Sequence, residues 1–193
     1  MNQALPSSPA NSGREDLLIL VDDADREIGT LPKTAGHLGA GTLHRAFSVF
    51  LFDPMGAVLI QQRAAGKMLW PGYWSNSCCS HPRPGEAVEA AARRRVREEL
   101  RVECRLRFLY KFRYQAPFGD VGAEHELCYV YAGFPRGNLK ADATEIADHR
   151  WITPDDLTRA IADDPDQFSP WMKLEWQRIN TDFLDGIRRE WGR

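Results

Sequence analysis

From Trp70 onward the chain reads Trp70-Pro71-Gly72-Tyr73-Trp74-Ser75-Asn76-Ser77-Cys78-Cys79-Ser80-His81-Pro82. A thiol and an imidazole two residues apart can ligate a metal, act as a nucleophile or pass a proton, because both change protonation or coordinate readily near neutral pH. Aromatic faces beside them can exclude water and stabilise a cation. The plainer alternative is a loop strand whose cysteines are small buried hydrophobes and whose tryptophans fill core. We read the window as the floor of an active site.

A second set of chemical groups lies just downstream. Glu86 to Leu100 follows a Pro-Gly break and consists of strong helix formers. Val88, Ala92, Arg95 and Glu99 fall at i, i+4, i+7 and i+11, which sets an arginine and a glutamate on an otherwise apolar face. Charges on a buried side need partners. An Arg95–Glu99 surface pair, worth about 0.3 kcal/mol, is one solution; in the other, Glu99 holds a metal and Arg95 meets an anion.

The elements that must carry these groups follow from pattern. Leu17 to Val21 suits a buried strand ending in an Asp22-Asp23 turn. Gly29 to His44, with Lys33, His37 and His44, is glycine-dense and reads as a loop. His44 to Phe52 is apolar on both faces, as a strand buried on two sides requires. Asp53-Pro54-Met55-Gly56 turns the chain into Val58 to Gln62, predicting a hairpin. Leu106 to Tyr114 and Glu126 to Phe134 are further strands joined by the polar loop around Phe118-Gly119-Asp120. Thr153-Pro154 and Ser169-Pro170 each place a capping hydroxyl before a proline that starts a helix. Trp171, Leu174, Ile179, Phe183, Leu184 and Ile187 give the second helix an apolar face to lay on a sheet. The fold class is α+β with a mixed sheet.

With 193 residues the chain suits a single domain. We expect a disordered leader over residues 1–14, rich in Pro, Ser, Asn and Ala, followed by one domain over 15–193. A net charge of -2 offers no basic field for nucleic acid. No apolar run reaches membrane-span length and no secretion signal opens the chain, so a cytoplasmic protein without a membrane partner is expected. Cys78, Cys79, Cys104 and Cys128 are expected as free thiols.

Two motif sets carry a resemblance. Ser80-x5-Glu86-x7-Arg94-Arg95-Val96-x-Glu98-Glu99-x-Arg101-Val102 resembles the Nudix box, with Ser80 and Arg101 where that pattern has glycines and Arg95 where it has a metal-binding glutamate. Arg101 at the helix end costs little unless its φ is positive. Trp70-Pro71-Gly72, then Asn76-Ser77-Cys78-Cys79-Ser80-His81-Pro82, with the histidine pair upstream, is very similar to the type I isopentenyl-diphosphate isomerases. The likeness runs in order from about Asp16 to Phe168-Ser169-Pro170-Trp171-Met172 and implies a Nudix-like mixed β-sheet core flanked by helices.

The resemblance also implies roles. Cys79 and Glu126 match the two proton-handling groups, and Tyr114 the tyrosine that relays or positions a proton. His37, His44, His81, Glu124 and Glu126 match the ligands of a divalent metal, a donor set suited to Zn2+ or Mn2+. Glu99 matches the residue that binds Mg2+ together with the diphosphate. Lys33, Arg63, Lys67 and Arg95 match the cations that neutralise the diphosphate. Trp171 matches the tryptophan that faces the carbocation. The partner implied is a small isoprenyl diphosphate. His125, on the opposite strand face from Glu124 and Glu126, is not expected to be a ligand.

Two other function classes compete. A Nudix diphosphate hydrolase would need metal-activated water and a full glutamate cluster, which Arg95 and Cys79 argue against. A non-catalytic metal-binding module would leave the basic set and Trp171 unexplained. A flavin-dependent isomerase is disfavoured because no glycine-rich dinucleotide fingerprint follows a strand.

Overall fold

A computed structural model describes residues 16–191; the leader expected over residues 1–14 lies outside them. Strand Leu17–Val21 (β1) pairs antiparallel with Glu27–Pro32 (β2), and a one-turn helix, Lys33–Gly36 (α1), follows. The loop expected from Gly29 is thus strand and helix as far as Gly36. β2 is an edge strand, where a glycine and a proline interrupt no interior ladder.

The main sheet runs β2-β1-β3-β8-β7, from His44–Leu51 (β3), Gly122–Arg136 (β8) and Glu103–Phe118 (β7). β8 runs parallel to β3 and antiparallel to β7, and Cys78–Ser80 (β6) pairs antiparallel with β3. The sheet is therefore mixed. Its α2 face (Val88–Leu100) packs Ala92, Val96 and Leu100 on Phe47, Val49 and Leu51. The other face is covered by Pro154–Asp163 (α3), Pro170–Arg178 (α4) and Leu184–Trp191 (α5), with Met172, Trp176 and Ile179 against Phe50 and Val130. β3 is buried on two sides, as its pattern predicts.

The hairpin expected of β3 and Val58–Arg63 (β4) does not form beyond one bridge, Phe52 with Val58. β4 instead joins Trp74–Ser75 (β5) and Ile146–Ile152 (β9) in a second sheet. Ser77 holds the strands apart: its hydroxyl accepts from Leu51 N at 2.8 Å and donates to Leu59 O at 2.6 Å. Backbone groups that a hairpin would pair are thus satisfied by a side chain between the strands. The strands β7 and β8 form a hairpin longer than the apolar runs alone predict, turning at Phe118–Gly122.

Thr153 caps α3, accepting from Asp156 N at 3.2 Å. Ser169 does not cap α4; its hydroxyl instead lies 3.0 Å from Ser75 Oγ. A π-helical segment, Ile179–Phe183, joins α4 to α5. It shifts the buried face by one residue, so that Ile179 and Leu184, five apart, both stay inside. Leu174, expected on that face, is 50% exposed. Among the described residues no helix is long and apolar enough to cross a membrane, and all four cysteines are free.

Arg101 ends α2 with φ +57. The left-handed conformation costs a non-glycine residue about 1 kcal/mol, so this position is not neutral. Its guanidinium gains only an exposed contact with Asp142 at 3.5 Å. Arg101→Gly is expected to raise the unfolding free energy by about 0.5–1 kcal/mol, read as a higher urea midpoint at unchanged slope.

Candidate active site

Three adjacent strands set a row of polar groups across the sheet. Glu126 on β8 stands beside His44 on β3 and Tyr114 on β7. Alternation along β8 puts Glu124 on the same face and His125 on the other, where His125 meets Arg113 and Gly41 O. His125 is outside the cluster of His37, His44, His81 and Glu124. The strand β6 delivers Cys79 and Ser80 opposite Ser48 and Phe47, and His81 follows. His37 arrives from α1, its carbonyl accepting from Ala123 N at 2.9 Å.

The ring nitrogens of His37, His44 and His81 and a carboxylate oxygen of Glu124 lie within 4.8 Å of one another. His37 Nδ1 donates to Lys33 O at 2.6 Å and His44 Nδ1 to Thr42 O at 2.7 Å. Carbonyl oxygens only accept, so in the neutral form of each ring Nε2 presents a lone pair inward. His44 Nε2 stands 3.1 Å from His81 Nε2, which lies 3.2 Å from Glu126 Oε1. His37 Nε2 and Glu124 Oε2 are 2.8 Å apart, within ion-pair distance, and neither buried atom has any other hydrogen-bond partner. Converging lone pairs with unspent acceptors are a donor set that could hold a divalent cation.

Electrostatics favour ligation at His81 and Glu126, whereas at His37 they favour the charged ring until a cation displaces its proton. Burial and the neighbouring His44 push His81 well below the usual imidazole range, which keeps it neutral. Burial would lower His37 too, but the adjacent Glu124 carboxylate more than offsets it. Burial would raise Glu126, but His44 and Tyr114 hold it below its ordinary value.

These groups open on a cavity of about 250 Å³. Cys79, Tyr114, Glu126 and Trp171 line its walls together with His37, His81 and Glu124. The Tyr114 hydroxyl donates to Glu126 Oε2 at 2.7 Å. Burial pushes the Cys79 thiol up to about 12, against the pull of Arg63, so it carries its proton at neutral pH. The Trp171 indole N–H is fixed by Ser75 Oγ and Asn76 Oδ1, both at 3.0 Å. Trp70 meets the Trp171 ring edge-on at 5.2 Å between centroids.

Lys33, Arg63, Lys67 and Arg95 all line the same cavity. Arg63 donates to Leu69 O and Trp70 O, and its guanidinium lies over the Trp171 ring at 5.1 Å. His44 and Glu99 are buried behind the walls rather than lining them. Glu99 stands apart from the histidine cluster, on α2, accepting from Arg95 Nη2 at 2.6 Å. Its burial pushes the carboxyl upward, opposed by Arg95.

Three features of the site escaped sequence reasoning. Glu145, just before β9, bonds both Lys67 and Arg95. Gly122 leaves room for the His37 carbonyl. Ser75 and Asn76, inside the central window, support Trp171. Only the last pair carried a signal, since both lie inside the window read as the floor of an active site.

Residues 42–172 match the NUDIX domain. The chain is 42% identical over 172 residues to Isopentenyl-diphosphate Delta-isomerase 1 of Photorhabdus laumondii subsp. laumondii, covering 88% of this chain and 98% of that one. It is 45% identical over 170 residues to the Isopentenyl-diphosphate Delta-isomerase of Burkholderia multivorans, covering 88% and 96%. Among solved structures, DR0079 from Deinococcus radiodurans matches with a TM-score of 0.63 at 27% identity, over 77% of this chain and 90% of that one. The MutT protein of Methanosarcina mazei Go1 shares the fold, with a TM-score of 0.57 at 13% identity over 77% and 94%. Sequence over most of the length and fold thus agree: the chain belongs to the isopentenyl-diphosphate Delta-isomerase family of NUDIX-domain proteins.

Proposed function

We propose that this chain interconverts isopentenyl and dimethylallyl diphosphate, as a cytoplasmic enzyme supplying isoprenoid precursors. The observation that carries the reading is a single cavity with a protonated thiol, Cys79, a carboxylate–phenol pair, Glu126 and Tyr114, and an indole face, Trp171. Moving the double bond inward requires a proton delivered to the terminal methylene, shelter for the tertiary cation, and removal of a proton from the neighbouring carbon. Cys79 and Glu126 are the two groups that exchange those protons, with Tyr114 holding or relaying a proton at Glu126. Trp171 faces the cation, its ring held by Ser75 and Asn76.

Lys33, Arg63, Lys67 and Arg95 bind the diphosphate. His37, His44, His81, Glu124 and Glu126 would hold Zn2+ or Mn2+, and Glu99 would hold Mg2+ with the diphosphate. Such cations would fix the Glu126 carboxylate and neutralise phosphate charge. Arg95, paired to Glu98 and Glu99 at 3.0 and 2.6 Å, occupies the place of a carboxylate that a diphosphate hydrolase would use on metal-activated water.

Proton NMR of the protein with isopentenyl diphosphate and magnesium in deuterated buffer tests this. The expected product is dimethylallyl diphosphate carrying solvent deuterium. Phosphate release without isomer would favour the hydrolase, and no change would favour a non-catalytic module.

A further inference from the structure

Glu145 touches two of the four cations that line the cavity. Its Oε1 accepts from Arg95 Nη2 at 3.0 Å, and its Oε2 from Lys67 Nζ. The backbone on which it sits is anchored, its carbonyl accepting from Ala64 N at 3.0 Å and its N–H donating to Asp142 O at 3.0 Å. Arg95 also meets Glu98 and Glu99, at 3.0 and 2.6 Å. In this corner Lys67 and Arg95 are held by three carboxylates, of which Glu98 is shared with Arg94 at 3.2 Å. Lys67 and Arg95 are thus already paired, so a diphosphate entering alone must compete with carboxylates for both of them.

We propose that Glu145 makes diphosphate binding conditional on a divalent cation, holding Lys67 and Arg95 in the free protein and releasing them when a cation arrives with the ligand. The inference rests on the assignment of this corner to the diphosphate. A divalent cation gives the carboxylates a new partner, leaving the ammonium and guanidinium for phosphate oxygens. Arg95 already has an uncommitted donor for that exchange, since its Nε is buried without a partner. Burial would raise the Glu145 carboxyl, but Lys67 and Arg95 hold it down to about 2, so the clamp stays charged at all physiological pH values.

Calorimetric titration of the full chain with inorganic pyrophosphate, in magnesium-free buffer and with magnesium, tests the coupling. Wild-type protein is expected to bind much more tightly with magnesium. In Glu145→Gln, magnesium-free affinity should rise at least about tenfold and the gain from magnesium should shrink by the same factor. Glu145→Asp keeps the charge and should behave as wild type. Unchanged or weaker magnesium-free binding in Glu145→Gln would overturn the role, as would an equal gain in Glu145→Asp. A wild-type protein that binds no pyrophosphate even with magnesium and forms no dimethylallyl diphosphate would instead overturn the functional reading along with it.

Discussion

Glu126→Gln is expected to lower turnover of isopentenyl diphosphate by at least about 100-fold, and Cys79→Ala by a similar factor, the range of a lost general acid or base. The Glu126 carboxylate accepts from the Tyr114 hydroxyl at 2.7 Å and lies 3.2 Å from His81 Nε2. Glutamine preserves the volume but cannot take a proton from carbon, and its single amide oxygen can serve Tyr114 or His81 but not both. Cys79→Ala removes the thiol and leaves the Arg63 guanidinium, now 3.8 Å from the sulfur, without that partner. Because neither side chain is assigned to the diphosphate, the loss should fall on kcat with KM within a few-fold. Near-normal kcat in either variant would remove that residue from the proton transfers. Unchanged thermal melting of Cys79→Ala would separate chemistry from folding.

The second large effect is expected at a residue with no functional group. A Cβ on Gly122 would sit 2.2 Å from the His37 carbonyl oxygen and 3.2 Å from its carbon. The obstacle is backbone, and the same carbonyl is already tied to Ala123 N at 2.9 Å, so no side chain can swing aside. Gly122→Ala must push the His37 loop off β8 and carry the imidazole away from Glu124. Displacing the support of a ligand typically costs 10–100-fold in metal affinity. Metal content after dialysis, and competition against a chelator, should show a loss of that order with the other ligands intact. Full retention would mean that the loop yields without moving His37.

What the sequence revealed, and what it withheld, divides along a physical line. Residue type and spacing alone singled out the cysteine–histidine window and Arg95 with Glu99. The other residues that converge on the cavity could be named before any geometry because the motifs resemble those of a family. Glu145 could not, since an acid in Thr144-Glu145-Ile146 looks like a solvated turn until Lys67, 78 residues away, is placed beside it. Gly122 was equally silent, because the need for a missing Cβ comes from a carbonyl in another loop. The α+β class and the mixed sheet were legible from alternation and helix caps. The β3–β4 hairpin was misread because alternation reports that a strand is buried and not which strand lies next to it. Leu174 was misplaced because an apolar residue at helical spacing was counted toward a face that α4 turns outward.

The support of the Trp171 ring has a further consequence for how the protein is made. Ser75 and Asn76 are joined to Trp171 across 96 and 95 residues of chain. A chain still being synthesised therefore has β3, β6 and the cysteine–histidine segment long before it has the wall that faces them. The clustered histidines and Glu124, all supplied by residues up to Glu124, can gather first, whereas the indole face must wait for the last helices to dock. Contacts this distant in sequence form late and slowly. The cluster of His37, His44, His81 and Glu124 is thus complete in the growing chain before the indole wall that closes the cavity over it.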